Sequence, residues 1–245
     1  MTDVTSIDYI TLEVDDPTAA ERFYTAAFGL CPQVRLRASE APTAGFRGFT
    51  LSLLVSQPAT VDALVRAALD AGATSLKPAQ KQFWGGYSGV VQAPDGTIWK
   101  VATSSKNNTG PATQEIDEIA LLLGVGDFAE SKRFYVERGL AVAKSFARVY
   151  AEFAAPSKHI KLGLYKRRAL AKDGGVAADG TGSHRLSIGS AAGPFTDPDG
   201  FAWEPAGSVG GTAFATAASA SGMQPDPYPG AALSRTGDRR HDLTV

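Results

Sequence analysis

The sequence predicts an α+β protein built from two tandem copies of one strand–helix–strand unit, and three observations predict it. A distinctive turn and strand occurs twice, as "VQAPDGTIWKVA" (91–102) and "FTDPDGFAWEPA" (195–206), each running Pro-Asp-Gly, two residues, Trp and one charged residue. That charge reverses between the copies, from Lys100 to Glu204. A strand–helix opening is also repeated: "IDYITLEVDDPTAAERFYTAAFGL" (7–30) parallels "IDEIALLLGVGDFAESKRFYVERGL" (116–140). Finally, a composition of 44% hydrophobic and 20% charged residues suits a globular chain long enough for two units of about 100 residues.

Each element has a local cause. In the first strand Ile10, Leu12 and Val14 alternate with Tyr9, Thr11 and Glu13, giving one apolar and one mixed face. Ile119, Leu121 and Leu123 do the same in the later copy, opposite Glu118 and Ala120. Asp16 before Pro17, and Asp127 before Phe128, are caps for helices carrying Phe23-Tyr24 and Phe134-Tyr135 inward, and Gly29 and Gly139 are their stops. "FTLSLLV" (49–55) is a strand, "ATVDALVRAALDAGA" (59–73) an amphipathic helix, and "YSGVVQ" leads through Pro94-Asp95-Gly96 into the strand "TIWKVA". "RVYAEFA" (148–154) and "HIKLGLYKR" (159–167) form a hairpin. Trp99 and Trp203 fall on the buried side of their strands. The units are a first domain over 1–103, a linker over 104–115 and a second domain over 116–206. Residues 207–245, rich in Gly, Ala, Ser, Thr and Pro, bury too little apolar surface to offset ordering entropy and are expected to be a disordered tail.

Composition also excludes functions. A formal charge of −1 gives no global reason to expect nucleic acid or an anionic membrane as partner. No apolar run reaches the ~18 residues of a membrane span, and the N-terminus has no basic-then-apolar leader pattern. The single Cys31 has no partner for an internal disulfide and is expected to be an idle thiol. The location expected is cytoplasmic, as a monomer or homodimer. No Gly-rich phosphate loop or Gly-x-Ser-x-Gly elbow is present. The basic run "YKRRALAK" (165–172) is expected to be a solvated face.

With "IDYITLEV…FYTAAFGL", "VDALVRAALDAGAT", "FWGGYSGVVQAPDGTIWKVA" and "DPDGFAWE" in view, the chain resembles the glyoxalase / bleomycin-resistance / extradiol-dioxygenase superfamily, also called vicinal oxygen chelate proteins. The resemblance implies βαβββ modules whose curved mixed sheets enclose a cleft for a small organic ligand or substrate. It also implies metal ligands on the first strands of paired modules and on the last strand after Pro-Asp-Gly. Neither half holds two complete modules. Segment lengths put full modules at 46–103 and 116–165, pairing to form the main cleft. Residues 7–38 and 183–206 would complete a second, smaller one.

By this resemblance Tyr9, Lys100, Glu118 and Glu204 stand at first-strand and last-strand ligand positions, with the third position at Gly48 or Ser183. Tyr is rarely a ligand and Lys100 brings a positive charge, so the set is degenerate. The metal candidates are Glu118, Glu204 and His184, although His184 shares its parity with Leu186 and Ile188 on the core side unless a bulge turns it. Tyr9, Phe83, Trp84, Tyr87 and Lys100 are the candidates for ligand binding, because "FWGGYSG" joins aromatics to flexible glycines. No catalytic residue is identified. The expected function is cofactor-free binding or sequestration of a small organic molecule. The alternative is a divalent-metal enzyme of the superfamily, a lyase, isomerase or extradiol-type dioxygenase. A Lys100–Glu118 ion pair is expected on the cleft floor, an ammonium standing where a metal would otherwise balance charge.

Overall fold

The computed structural model describes residues 6–29, 32–83, 85–155, 160–207 and 212–213. In chain order the elements are β1 (Ile7–Val14), α1 (Pro17–Phe28), β2 (Val34–Ala38), β3 (Thr43–Gly45), β4 (Phe49–Leu54), α2 (Pro58–Asp70) and β5 (Thr74–Lys81). There follow β6 (Tyr87–Gln92), β7 (Ile98–Thr103), β8 (Glu118–Val125), α3 (Phe128–Glu137), β9 (Val142–Phe146), β10 (Tyr150–Phe153) and β11 (Lys161–Lys166). The chain closes with α4 (Arg167–Gly174), β12 (Gly180–Gly182), β13 (Leu186–Ser190), β14 (Phe195–Thr196), β15 (Ala202–Pro205) and β16 (Thr212–Ala213). Asp16 accepts hydrogen bonds from the N–H groups of Thr18 (2.9 Å) and Ala19 (3.0 Å), and Asp127 accepts from Ala129 and Glu130 at the same two distances. Each side chain thus satisfies two of the donors that a helix start leaves unpaired.

The sheets do not follow the sequence halves. An eight-stranded sheet runs β5-β6-β7-β4-β8-β11-β10-β9, so 49–103 and 118–166 join as two βαβββ modules. The seam is β4 against β8, antiparallel from Phe49↔Leu123 to Leu54↔Glu118. A six-stranded sheet runs β14-β15-β13-β1-β2-β16 and takes strands from both ends of the chain. Within it β1 pairs antiparallel with β13 and parallel with β2. Residues Thr212–Ala213, inside the stretch expected to be a disordered tail, pair with Leu36 and Arg35 of β2. They supply partners for the backbone groups that an edge strand leaves open. Residues 104–115 are anchored rather than free: Gln57 Oε1 accepts from Thr109 N (2.7 Å) and Gly110 N (3.1 Å), while Asn108 Oδ1 accepts from Ala59 N at the start of α2. Among the described residues no helix is long and apolar enough to cross a membrane.

One core joins the two sheets through α1, α2 and α3. The repeated aromatics do the joining. Trp99 of β7 and Trp203 of β15 are buried, packing on Tyr24 of α1 and Tyr135 of α3 with ring centroids 5.5 Å apart in both copies. Trp99 Nε1 donates to the Tyr24 hydroxyl (3.4 Å), which donates to Asp95 Oδ2 (2.6 Å). In the second copy Trp203 Nε1 donates to Tyr135 (3.3 Å), and that hydroxyl donates to Asp197 Oδ2 (2.5 Å). The turn Asp differs: Asp95 lies inside the first Pro-Asp-Gly, whereas Asp197 precedes the second. Asp199, the counterpart of Asp95, accepts instead from Ser131 Oγ and Gly126 N, both at 2.6 Å.

Two expectations follow from this bracing. Trp99→Ala and Trp203→Ala should each cost about 3–5 kcal/mol in urea unfolding, and an unchanged midpoint would show the ring is not packed. Burial first, and then Asp95 or Asp197, holds the Tyr24 and Tyr135 phenols well above their ordinary value. The fold therefore favours the protonated form. The stability this provides is complete below the unfolded phenol value of about 10 and is lost as pH rises further. Unfolding at pH 8 to 11, followed by circular dichroism, should show a steep alkaline loss. Tyr24→Phe or Tyr135→Phe should flatten it, while lowering neutral stability by about 1–3 kcal/mol because a carboxylate loses its donor.

Candidate functional site

The eight-stranded sheet presents two faces by simple alternation. Leu51, Leu53, Leu121, Leu123, Leu162 and Leu164 enter the core, and their neighbours point the other way. On that second face the register aligns Lys100 with Ser52, Ser52 with Ala120, and Ala120 with Lys161. This cross-strand row has a lysine at each end and small residues between. Adjacent strands lie about 4.8 Å apart, so the two lysine Cα atoms are about 14 Å apart across the row. Above it is a cleft of about 300 Å³, lined by Ser52, Leu54, Leu122, Tyr150, Tyr165 and the lysines, among others.

Every lysine of the cleft has a carboxylate partner. Lys100 Nζ reaches both oxygens of Asp173 (3.0 and 2.8 Å), Lys161 reaches Glu118 (2.7 Å) and Lys144 reaches Glu152 (3.5 Å). The expected Lys100–Glu118 pair is therefore not what forms. Glu118 aligns with Leu54, one pleat beyond the Lys100 row, and α4 delivers Asp173 closer. Tyr150 lies beside Tyr165 (centroids 4.8 Å) and donates to Glu152 Oε2 (2.7 Å). Gly163 makes room for it, since a Cβ there would come within 2.7 Å of Leu122 Cδ2 and 3.3 Å of Tyr150. Burial, followed by the charges of Asp173 and Glu152, raises the Tyr165 phenol above its ordinary value and keeps its proton in place.

Helix α4 covers the other part of this face. Leu170 and Ala171 are buried against Phe46, Val90 and Ile98. Lys77 Nζ caps the helix by donating to the carbonyls of Lys172 (2.7 Å) and Asp173 (2.8 Å), and Arg167 donates to the carbonyls of Phe46 and Ala178. The run "YKRRALAK", expected to be a solvated face, thus contains an apolar pair used as a plug. Its charges hide that pair from a pattern search, although the left-handed Gly175 (φ 78°) that stops the helix was a visible signal.

The six-stranded sheet has an equivalent polar face, and it is filled. Tyr9 is buried there, flat over Gly189, where a side chain would run into its ring. The Arg35 guanidinium covers the ring (3.4 Å to the centroid), and the Tyr9 hydroxyl donates to the Pro205 carbonyl. Glu204 accepts from Arg37 (3.2 Å) and Thr11 (3.3 Å). Arg37 also donates to Glu13 (2.8 Å) and Ser187 (2.6 Å). Burial alone would depress the guanidinium's pKa, but hydrogen bonds and charge from Glu13 and Glu204 leave it raised. His184 belongs to neither face. Arg185 takes a left-handed backbone (φ 51°) just before β13 and breaks the strand parity. The imidazole stacks on Phe201 (4.0 Å), and its two nitrogens face the carbonyls of Arg47 and Asp199.

Of the residues named from sequence, only Lys100 lines the main cleft; Glu118 is outside the lining and pairs with Lys161, which is part of it. Tyr9 and Glu204 sit on the other sheet. Phe83 is fully exposed at the β5–β6 turn, Trp84 and Cys31 lie outside the described residues, and Tyr87 faces α2, donating to Asp62 (2.9 Å). Sequence reading missed Ser52, Lys144, Tyr150, Lys161, Tyr165 and Asp173. The alternation in "FTLSLLV" and "HIKLGLYKR" marks the faces of Ser52, Lys161 and Tyr165, whereas Asp173 required knowing where α4 folds. Among the described residues, no group of three or more His, Cys, Asp or Glu side chains is placed to hold a metal ion.

Solved structures share this architecture. Glyoxalase I from Zea mays superposes with a TM-score of 0.55 at 16% identity, covering 82% of this chain and 92% of that one. A putative dioxygenase from Bacillus subtilis superposes with a TM-score of 0.50 at 11% identity, covering 77% and 71%. The fold is therefore glyoxalase-like, an α+β arrangement of repeated modules in mixed sheets. The sequence matches no protein-family model and no curated protein.

The Arg37 network is testable by charge. Arg37→Met leaves Glu13 and Glu204 facing each other without their cation and should cost about 1–3 kcal/mol, toward the low end because the site is partly solvated. Arg37→Met combined with Glu204→Gln should recover part of that loss in urea unfolding. Equal stability of the single variant and the parent would show the network to be ornamental.

Proposed function

We propose that this protein binds a small organic molecule, without a resident metal, in the cleft of the eight-stranded sheet. The supporting observation is that the chain supplies its own cations where the fold's metal positions fall. Lys100 occupies the last-strand position of the first unit and is neutralised by Asp173; Glu204 occupies that of the second and is neutralised by Arg37. Glu118 is committed to Lys161. An ion entering either place would have to displace an ammonium or guanidinium from its carboxylate, and lysine and arginine offer no lone pair to replace it. The donor set does not suit a divalent metal. What remains is a concave, partly apolar hollow with a few directed polar groups, the usual character of a small-molecule site.

Elemental analysis of protein purified without chelator checks this reading. Less than a tenth of an equivalent of Zn, Ni, Mn or Fe is expected. Near-stoichiometric metal that survives dialysis would overturn it in favour of a metal-dependent enzyme of this fold.

A further inference from the structure

The hydrogen-bonding inventory of the main cleft is lopsided. Both carboxylates of the lining are engaged, Asp173 by Lys100 and Glu152 by Tyr150 and Lys144, and Lys161 reaches Glu118 just outside it. The groups with unused hydrogen-bonding capacity are two hydroxyls, each able to donate, and an ammonium that can only donate. Among the described residues, Ser52 Oγ and the Tyr165 hydroxyl line the cleft with no hydrogen-bond partner. An ammonium carries three N–H groups, and Lys161 has one carboxylate on it. These donors surround apolar and aromatic surface from Leu54, Leu122 and Tyr150.

Resting on the reading of the cleft as a metal-free binding site, we propose that its ligand is a small planar organic anion of the aromatic carboxylate class. The ring lies on Leu54 and Leu122 beside the paired tyrosines, and the carboxylate accepts from Lys161, Ser52 and Tyr165. A planar ring matches the slot because the floor between the two lysines is built from small residues, Ser52 and Ala120. The lining holds three ammonium groups, Lys100, Lys144 and Lys161, against two carboxylates, Glu152 and Asp173, so a cationic ligand would enter an excess of like charge. A neutral ligand satisfies the hydroxyls but forgoes the charge-assisted bond. The Tyr165 phenol, held in its protonated form, donates and does not compete as an anion.

The test uses the full chain labelled with ¹⁵N and three probes of one shape: benzoate, benzamide and benzylamine. Benzoate should shift the amide signals of Ser52, Lys100, Lys161, Gly163 and Tyr165, and bind about tenfold more tightly than benzamide. Benzylamine should leave those signals in place. Lys161→Gln should abolish the preference for benzoate, and Ser52→Ala, which disturbs no pairing, should weaken it if the lysine variant does not fold. Benzamide or benzylamine matching benzoate in the cleft would refute the anion assignment while leaving the cleft a binding site. Shifts from Mn²⁺ or Zn²⁺ at the cleft, with none from any organic probe, would refute both.

Discussion

Two hydrogen-bonded triads, each built on a buried Trp–Tyr pair, hold this molecule in one piece. In each, a tryptophan on the last strand of a repeat bonds a tyrosine on that repeat's first helix, and the tyrosine bonds an aspartate in the intervening turn. The helix and the strand belong to different sheets. Helix α1 leaves the six-stranded sheet and grips Trp99 in the eight-stranded one; α3 leaves the eight-stranded sheet and grips Trp203 in the six-stranded one. The braces therefore cross. A sheet could not shift against its neighbour without breaking a hydroxyl–carboxylate bond and unpacking a buried tryptophan, and both losses are large. This explains why Pro-Asp-Gly-x-x-Trp and Phe-Tyr recur together: they are the two ends of one brace.

With the sheets fixed, the charge between the repeats becomes intelligible. The residue after each Trp points away from the brace, onto the polar face of its own sheet. Lys100 meets Asp173 from the second half of the chain, and Glu204 meets Arg37 from the first half. Reversing the sign lets each half neutralise the other. Both pairs are partly exposed, so each contributes modestly to stability by charge alone. Their larger effect is positional. The Lys100–Asp173 pair ties the C-terminal end of α4 to the sheet, and the Arg37 network fills the six-stranded sheet's polar face.

The sequence carried the fold because periodicity and turn chemistry are local. Ile10, Leu12 and Val14, the caps Asp16 and Asp127, and the inward Trp99 all follow from alternation and capping, and segment lengths sufficed to pair 46–103 with 116–165. The site was less legible because it depends on which charges meet across long separations. Lys100 could be put on the correct face, yet its partner lies 73 residues away on a helix hidden in a basic run. His184 resisted for a similar reason: one left-handed residue, Arg185, shifted the parity on which its placement rested. Tyr9 was a fair aromatic candidate for a pocket wall until Arg35 and Gly189 showed its faces covered.

The same geometry determines how much of the fold can serve as a site. A glyoxalase-like architecture offers polar faces on both sheets, and likeness of fold leaves open which face is used and for what. Here the six-stranded sheet's face is occupied by Arg37, Arg35 and Tyr9, and part of the eight-stranded sheet's face is occupied by Leu170 and Ala171 of α4. Filling by side chains is selective: it removes the apolar ground near β6 and leaves the stretch between Lys100 and Tyr150 open. That stretch is floored by β4, β8 and β11, whose core-facing residues Leu51, Leu121 and Leu164 are fully buried. Its walls come from both modules, and α4 borders it through the Lys100–Asp173 pair. Function in this chain is thus confined by what its own arginines and leucines have closed, as much as by what its lysines and tyrosines present.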